Sequence, residues 1–326
     1  MDKKILSIIL IQYRPAIRLY KWARTLSELG HTVTVGYTRT FGIGLDWDKF
    51  KRIKVTGREN YKEYDCCIIF NPWSKDIVYK NAGCPIIQAV GDIKSINSNK
   101  PREIEHMKAA DLCAFVSNKQ EKIANGMGVK STCVFRNGIH ADFLPKHIMP
   151  RLLNGYINIV YEGTITNIND HHRNIFETLK KIASIDFINV HIYSSSVSKY
   201  DIYKKLRVYF HDSVSPYDLT SELSQYDIGV IIINHDGVAN TALPNKLNDY
   251  LSANIPVLSG NYDALMEWGG GKECIAFTDF DRDDLIKKCQ KLLKCKKSNE
   301  YIFTYGEAAD KLDNIVRGVI NTYRRR

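Results

Sequence analysis

Short apolar runs alternating with helix-period segments constrain this chain more than any other feature in it. Lys4–Ile11, His31–Gly36 (HTVTVG), Asp65–Phe70, Cys84–Val90 and Asp111–Ser117 (DLCAFVS) are each bounded by turn signals, which predicts strands buried on both faces. Between the first two, Leu19, Trp22, Ala23, Leu26 and Leu29 recur at helical spacing, and Gly30 closes the helix. Strand, turn, helix, strand is a βαβ unit, whose first turn opens at the carboxyl edge of a parallel sheet. Phe41–Tyr64 reads as a polar loop carrying a short strand. Helices are predicted around Arg102–Ala110 and Lys119–Gly126, followed by a strand at Thr132–Phe135 and the turn Arg136-Asn137-Gly138-Ile139.

The alternation pauses near Lys146–Asn154, where Pro145, Pro150 and the Asn154-Gly155 pair suggest a linker. It then resumes with strand Ile157–Tyr161, helix His172–Ala183, strand Asn189–Tyr193, a helix around Tyr200–Leu206 and strand Arg207–Phe210. A helix is expected after Ser215-Pro216, with Ser215 and Asp218 in capping-box spacing. Tyr305–Tyr323 is a final helix, with Ala309, Leu312, Ile315, Val316 and Ile320 on one side. A chain of 326 residues with 44% hydrophobic content is long enough for two cores. The expected division is 1–148, 149–304 and a closing helix over 305–326, with each large part a doubly wound α/β domain.

The most informative stretch is Asn240–Gly260, NTALPNKLNDYLSANIPVLSG. It follows the apolar run Asp227–Ile233 and reads as a helix between two buried strands. Pro244 suits the first helical position, Leu247, Tyr250 and Leu251 form the apolar stripe, and Asn254 is a left-handed stop. Lys246 and Asp249, three apart, share one face in the first two turns. The N–H groups at a helix start and a lysine beside them would receive phosphate, and a carboxylate one turn on would accept hydrogen bonds from a ribose diol. The same pair would serve equally as a solvated salt bridge at the start of an amphipathic helix.

Composition excludes some classes. The eight cysteines include no C-x-x-C pair and lie mostly in apolar runs, so core thiols in a reducing compartment are expected rather than zinc sites or disulfides. No metal and no cofactor are expected. The first turn lacks G-x-G-x-x-G, which argues against a dinucleotide-dependent dehydrogenase. The N-terminal apolar run is too short for a membrane span and has no cleavage pattern, so a cytoplasmic protein is expected. A net charge of +10 is compatible with an anionic partner, but no recognition helix or aromatic–basic motif points to nucleic acid.

Four segments in order resemble GT-B glycosyltransferases, in particular the family-4-like group (glycosyl transferases group 1). Arg18–Val35 (RLYKWARTLSELGHTVTV) looks like their first helix and second strand. Asp111–Ser117 with Asn137-Gly138-Ile139 resembles the aD…vS…NGid pattern that ends their first domain. Tyr161-Glu162-Gly163-Thr164 with His172-Arg173-Asn174 resembles their nucleotide-diphosphate turn, and PNKLNDYLSANIPVLSG is similar to their p-x-K-l-x-E-Y-l segment. The resemblance implies two Rossmann-like domains facing across a cleft, with the last helix returning to the first domain. It implies a nucleotide-diphosphate sugar donor held by the second domain and a glycan or lipid-linked acceptor held by the first. Gly163 and Thr164 would let the backbone approach the diphosphate, Arg173 and Lys246 would bind its oxygens, and Asp249 would hold the ribose. Arg14 falls on the loop that the family lays over the phosphates. Asp92 ends a strand near the family's sugar-contacting histidine, where it would contact a hydroxyl, act as a base, or cap the next helix. His171 and His172 have no evident metal partner.

The resemblance has a gap. The family's two glutamates spaced by seven residues correspond to Thr241 and Asp249, so the first carboxylate is missing. The leading expectation is a glycosyltransferase in the cytoplasm, with peripheral contact to the acidic inner face of the membrane. A non-catalytic GT-B module that binds nucleotide sugar or a partner enzyme is the alternative, and a nucleotide-sugar epimerase is the second.

Overall fold

A computed structural model describes residues 4–13, 15–41, 44–55, 61–70, 82–93, 101–166, 173–194, 206–233, 237, 239–295 and 298–326. The chain divides into two compact units: unit 1 comprises Met1–His140 with Phe303–Arg326, and unit 2 comprises Ala141–Ile302.

Unit 1 is built on seven strands, β1 (Ser7–Gln12), β2 (Thr32–Tyr37), β3 (Lys51–Lys54), β4 (Cys66–Phe70), β5 (Ile86–Val90), β6 (Leu112–Phe115) and β7 (Thr132–Val134). They pair in parallel in the order β3-β2-β1-β4-β5-β6-β7, with Ile8 opposite Cys66 and Val33. The chain winds outward from β1 to β3 and then returns to the other side of β1, so the topological switch lies between β1 and β4. Helices α1 (Ile17–Glu28), α2 (Pro101–Ala109) and α3 (Asn118–Gly126) join successive strands. Ser117 caps α3 by accepting the Gln120 N–H at 3.1 Å.

Unit 2 has β8 (Ile157–Glu162), β9 (Ile188–Tyr193), β10 (Val208–His211), β11 (Ile228–Ile231), β12 (Val257–Gly260) and β13 (Ile275–Thr278), ordered β10-β9-β8-β11-β12-β13. Its switch lies between β8 and β11. Helices α4 (Phe176–Ala183) and α8 (Arg282–Leu292) pack on one side of the sheet. Helices α5 (Leu219–Leu223), α6 (Asn245–Ser252) and α7 (Asp263–Gly269) pack on the other. The last helix, α9 (Ala309–Arg324), belongs with unit 1, where Asp313 Oδ1 lies 3.1 Å from His31 Nε2. The Leu6 N–H points at His31 Nδ1, which leaves the ring proton on Nε2 to be donated to Asp313.

One sequence habit recurs at the starts of strands. Asp65, Asp111 and Asp227 each stand just before a strand and accept an N–H from the first or second residue of a neighbouring one, from Ser7 (3.0 Å), Ile86 (2.9 Å) and Asn158 (2.8 Å). A buried backbone N–H at a sheet edge must find a partner, and a carboxylate makes a strong one. The aspartate of the Asp111–Ser117 segment therefore has a structural task.

Three local expectations change. Pro244 occupies the N-cap, one place before the helix proper. The Ser215–Asp218 capping box does not form: α5 begins at Leu219, and Asp218 pairs with Lys146. Most of the expected linker packs on unit 2, where the N–H groups of Lys146, Met149 and Leu152 donate to Ser221, Ser224 and Gln225. Asn254, by contrast, adopts the left-handed conformation expected of it (φ 56°), and Leu247, Tyr250 and Leu251 are buried. The cysteines are free thiols, and only Cys133 and Cys295 are part-exposed.

Candidate functional site

The carboxyl end of β8 meets the start of α6 at the switch point of unit 2, where open α/β sheets form their ligand crevice. Gly163 follows β8 with φ 128°, a conformation that disfavours any side chain. A Cβ there would stand 3.2 Å from Lys246 Nζ, so the lysine lies directly against this glycine turn. Lys246 Nζ also sits 4.0 Å from the centre of the Tyr161 ring, a cation–π contact, and forms no salt bridge with a described residue. The expected Lys246–Asp249 pair as a mere surface salt bridge is not what the geometry displays.

The helix start itself is open to an anion. No side chain caps α6, no acidic residue lies in its first turn, and Asn245 Oδ1 is buried without a hydrogen-bond partner. That oxygen can accept from a hydroxyl or N–H of a ligand, while the helix N–H groups and Lys246 favour negative charge. Tyr250 holds the arrangement together. Its hydroxyl donates to Val230 O at 3.2 Å and accepts from the Glu162 N–H at 2.9 Å, tying α6 to β11 and β8. The ring lies directly over Gly229, where a Cβ would collide with it. Burial holds the Tyr250 phenol far above its usual range, so it stays a neutral donor.

The other expected residues fall into three groups. Thr164 is exposed beside Gly163, and Arg173 is exposed just before α4, its carbonyl accepting the Thr166 N–H at 3.2 Å. Thr241 and Asp249 are both buried, Thr241 in the short turn before α6 and Asp249 in its second turn. Asp92 is exposed beyond β5 in unit 1. Arg14, His171 and His172 lie outside the described residues.

Sequence reasoning passed over Arg18 and Tyr161. The signal for Arg18 was a charge placed four residues from Trp22 on the apolar side of α1. Its guanidinium carbon is 5.7 Å from the ring centres of both Trp22 and Phe70. Burial lowers its pKa, opposed by Tyr305 and Asp92.

No family model matches the chain, and no curated protein matches it. Solved structures do. The sucrose-phosphate synthase of Thermosynechococcus elongatus superposes with a TM-score of 0.72 at 13% identity, covering 98% of each chain. HepE of Anabaena, solved with UDP and glucose, gives 0.72 at 10% identity, covering 98% of this chain and 100% of its own. WaaG, a glycosyltransferase of lipopolysaccharide biosynthesis, gives 0.64 at 13%, covering 97% and 99%. With its two parallel-sheet α/β units matched over nearly their whole length, the chain has the GT-B fold of group 1-like glycosyltransferases.

Proposed function

We propose that this protein transfers a sugar from a nucleotide-diphosphate donor to a hydroxyl of a glycan or lipid-linked acceptor. The observation that carries the reading is Lys246, a lysine with no carboxylate partner among the described residues, set against the Gly163 turn at the uncapped start of α6. A leaving diphosphate gains negative charge as the glycosidic bond breaks, and preorganised positive charge at that point lowers the barrier. Gly163 and Thr164 would admit the diphosphate to the backbone, and Lys246 and Arg173 would neutralise it. Asp249 would take the ribose and Thr241 would face the donor sugar. Arg14 would close over the phosphates. Unit 1 would hold the acceptor, with Asp92 as base or hydroxyl contact. HepE was solved with UDP-glucose, which supports a uridine nucleotide as the first donor to test. A net charge of +10 suits a cytoplasmic enzyme that meets a lipid-linked acceptor at an acidic membrane surface.

Thermal stability of the purified protein against a panel of nucleotide diphosphates and their sugars tests the donor site. A ligand at a hundred times its Kd stabilises the native state by about 2.7 kcal/mol. The expected result is a Tm rise with one nucleotide that Lys246→Ala abolishes; no rise with any nucleotide overturns the reading. Thr241, where the family carries a carboxylate, favours a second reading as a non-catalytic binding module. That reading predicts the same Tm rise with no donor turnover in any acceptor mixture.

A further inference from the structure

Unit 1 has its own switch point, between β1 and β4, and the residues gathered there were not absorbed by the donor site. Arg18 lies in the first turn of α1, just after β1, and Phe70 is the last residue of β4. Asp92 follows β5, and Asn137-Gly138 follow β7. All of these positions are at carboxyl ends of parallel strands, the side on which such sheets bind ligands. Trp22 and Phe70 pack edge to face at 5.2 Å, Trp22 and Phe135 at 4.9 Å, and Phe135 stacks on Tyr305 at 5.9 Å. These rings form an apolar collar against the guanidinium of Arg18.

Within that collar, Arg18 Nε and Nη2 are buried and make no hydrogen bond among the described residues. Two adjacent N–H groups on one guanidinium make the fork that matches a carboxylate or phosphate. Leaving such donors buried and unpaired is costly, and native proteins seldom do so without a partner in view. Tyr305 and Asp92 lie near enough to favour the charge on Arg18 against burial, yet neither meets its Nε or Nη2 in hydrogen-bond geometry, and the Tyr305 hydroxyl is itself buried without a hydrogen bond. Lys21, the other buried cation of α1, donates its Nζ to Gly138 O at 3.0 Å.

We propose that Arg18 is the oxyanion-binding residue of a subsite in unit 1, and that the acceptor therefore carries a carboxylate or phosphate. The inference rests on the glycosyltransferase reading for the word acceptor, while the anion subsite itself does not depend on it. Aromatic rings beside the fork suit a sugar ring that carries the anion, since rings give sugars an apolar face to lie on.

The test is a set of thermal-shift titrations on the full chain with inorganic phosphate, glucose 6-phosphate, glucuronate and glucose, and separately with UDP. They are run on wild type, Lys246→Ala, Arg18→Met and Arg18→Lys. The expected result is a rise in Tm with glucose 6-phosphate or glucuronate, but not glucose, that persists in Lys246→Ala and disappears in Arg18→Met. Arg18→Lys keeps the charge without the fork and is expected to need about tenfold more ligand; it also serves if Arg18→Met does not fold. A response to phosphate alone would identify the group bound as an inorganic ion and overturn an anionic acceptor. An anion response unchanged in both Arg18 variants, or lost in Lys246→Ala, overturns the subsite. Absence of a UDP response with a retained Arg18-dependent anion response would remove the donor reading and leave this subsite standing.

Discussion

His191 shows how a single side chain can be assigned from its neighbours. Asn158 is fully buried, and its Nδ2 points at the carbonyls of Leu152 and Tyr156, so its Oδ1 is the acceptor for His191 Nε2 at 3.2 Å. The proton of His191 is thus on Nε2, and its Nδ1 receives the His211 Nε2–H at 3.0 Å. A second proton on His191 would meet that N–H head-on in a buried site. Burial first, and the His211 charge second, push its pKa down to about 4. The folded value lies below the unfolded one, so the stabilisation is complete above about pH 6.5 and is lost as pH falls towards the folded value. Burial also lowers His211, against the pull of Glu222 and Asp212. The expected outcome is a loss on the order of 3 kcal/mol between pH 6.5 and 4, flattened in His191→Gln and measured by urea unfolding along that range. An acid limb as steep in the variant would place the titration elsewhere.

At the scale of elements, α6 carries the lysine of the candidate donor site, and Tyr250 fixes where that lysine stands. Tyr250→Phe keeps the ring over Gly229 but strands the Glu162 N–H and one acceptor on Val230. A buried donor left unpaired costs about 1–3 kcal/mol. The variant is therefore expected to unfold at lower denaturant and, because α6 loosens against β8, to bind nucleotide more weakly; an unchanged midpoint would show that water replaces the hydroxyl. The apolar stripe of this helix and its left-handed stop at Asn254 were legible from spacing alone. The site of Pro244 was misjudged by one place, because a proline fits the N-cap and the first turn almost equally and the choice depends on where Leu247 packs. The Ser215–Asp218 motif failed for a related reason. Its aspartate had a lysine partner at Lys146, 72 residues away in sequence, that a local motif cannot register.

For the molecule as a whole, cysteine usage gives the simplest check. Burial raises the thiols of Cys66, Cys67, Cys84, Cys113, Cys274 and Cys289 above their usual range, and all six are buried. Native protein is expected to expose at most Cys133 and Cys295 to a thiol-titrating reagent, with the other six reacting only after unfolding. Rapid labelling of all eight would contradict the packing of both sheets. The closing segment also belongs to this scale. Arg324 and Arg326 pair with Asp65 and Asp111 at 2.8 and 3.0 Å. Those two aspartates already accept strand N–H groups, so the end of α9 is fastened to the strand starts of β4 and β6.

The order of strands and helices, the doubly wound class and a lysine at the start of α6 were legible in the sequence, because hydrophobic period, glycine turns and helix-start chemistry act over a few residues; Gly163 entered only through the family resemblance, and its approach to Lys246 is tertiary. By the family resemblance, Thr241 stands where a carboxylate is expected. Tertiary structure alone decided that Lys246 has no carboxylate partner among the described residues, that Arg324 and Arg326 are engaged, and that Arg18 points a buried fork into a ring of aromatic side chains. Each of these depends on which distant residues share a space, and a pairing between positions far apart leaves no periodic or local trace in the chain.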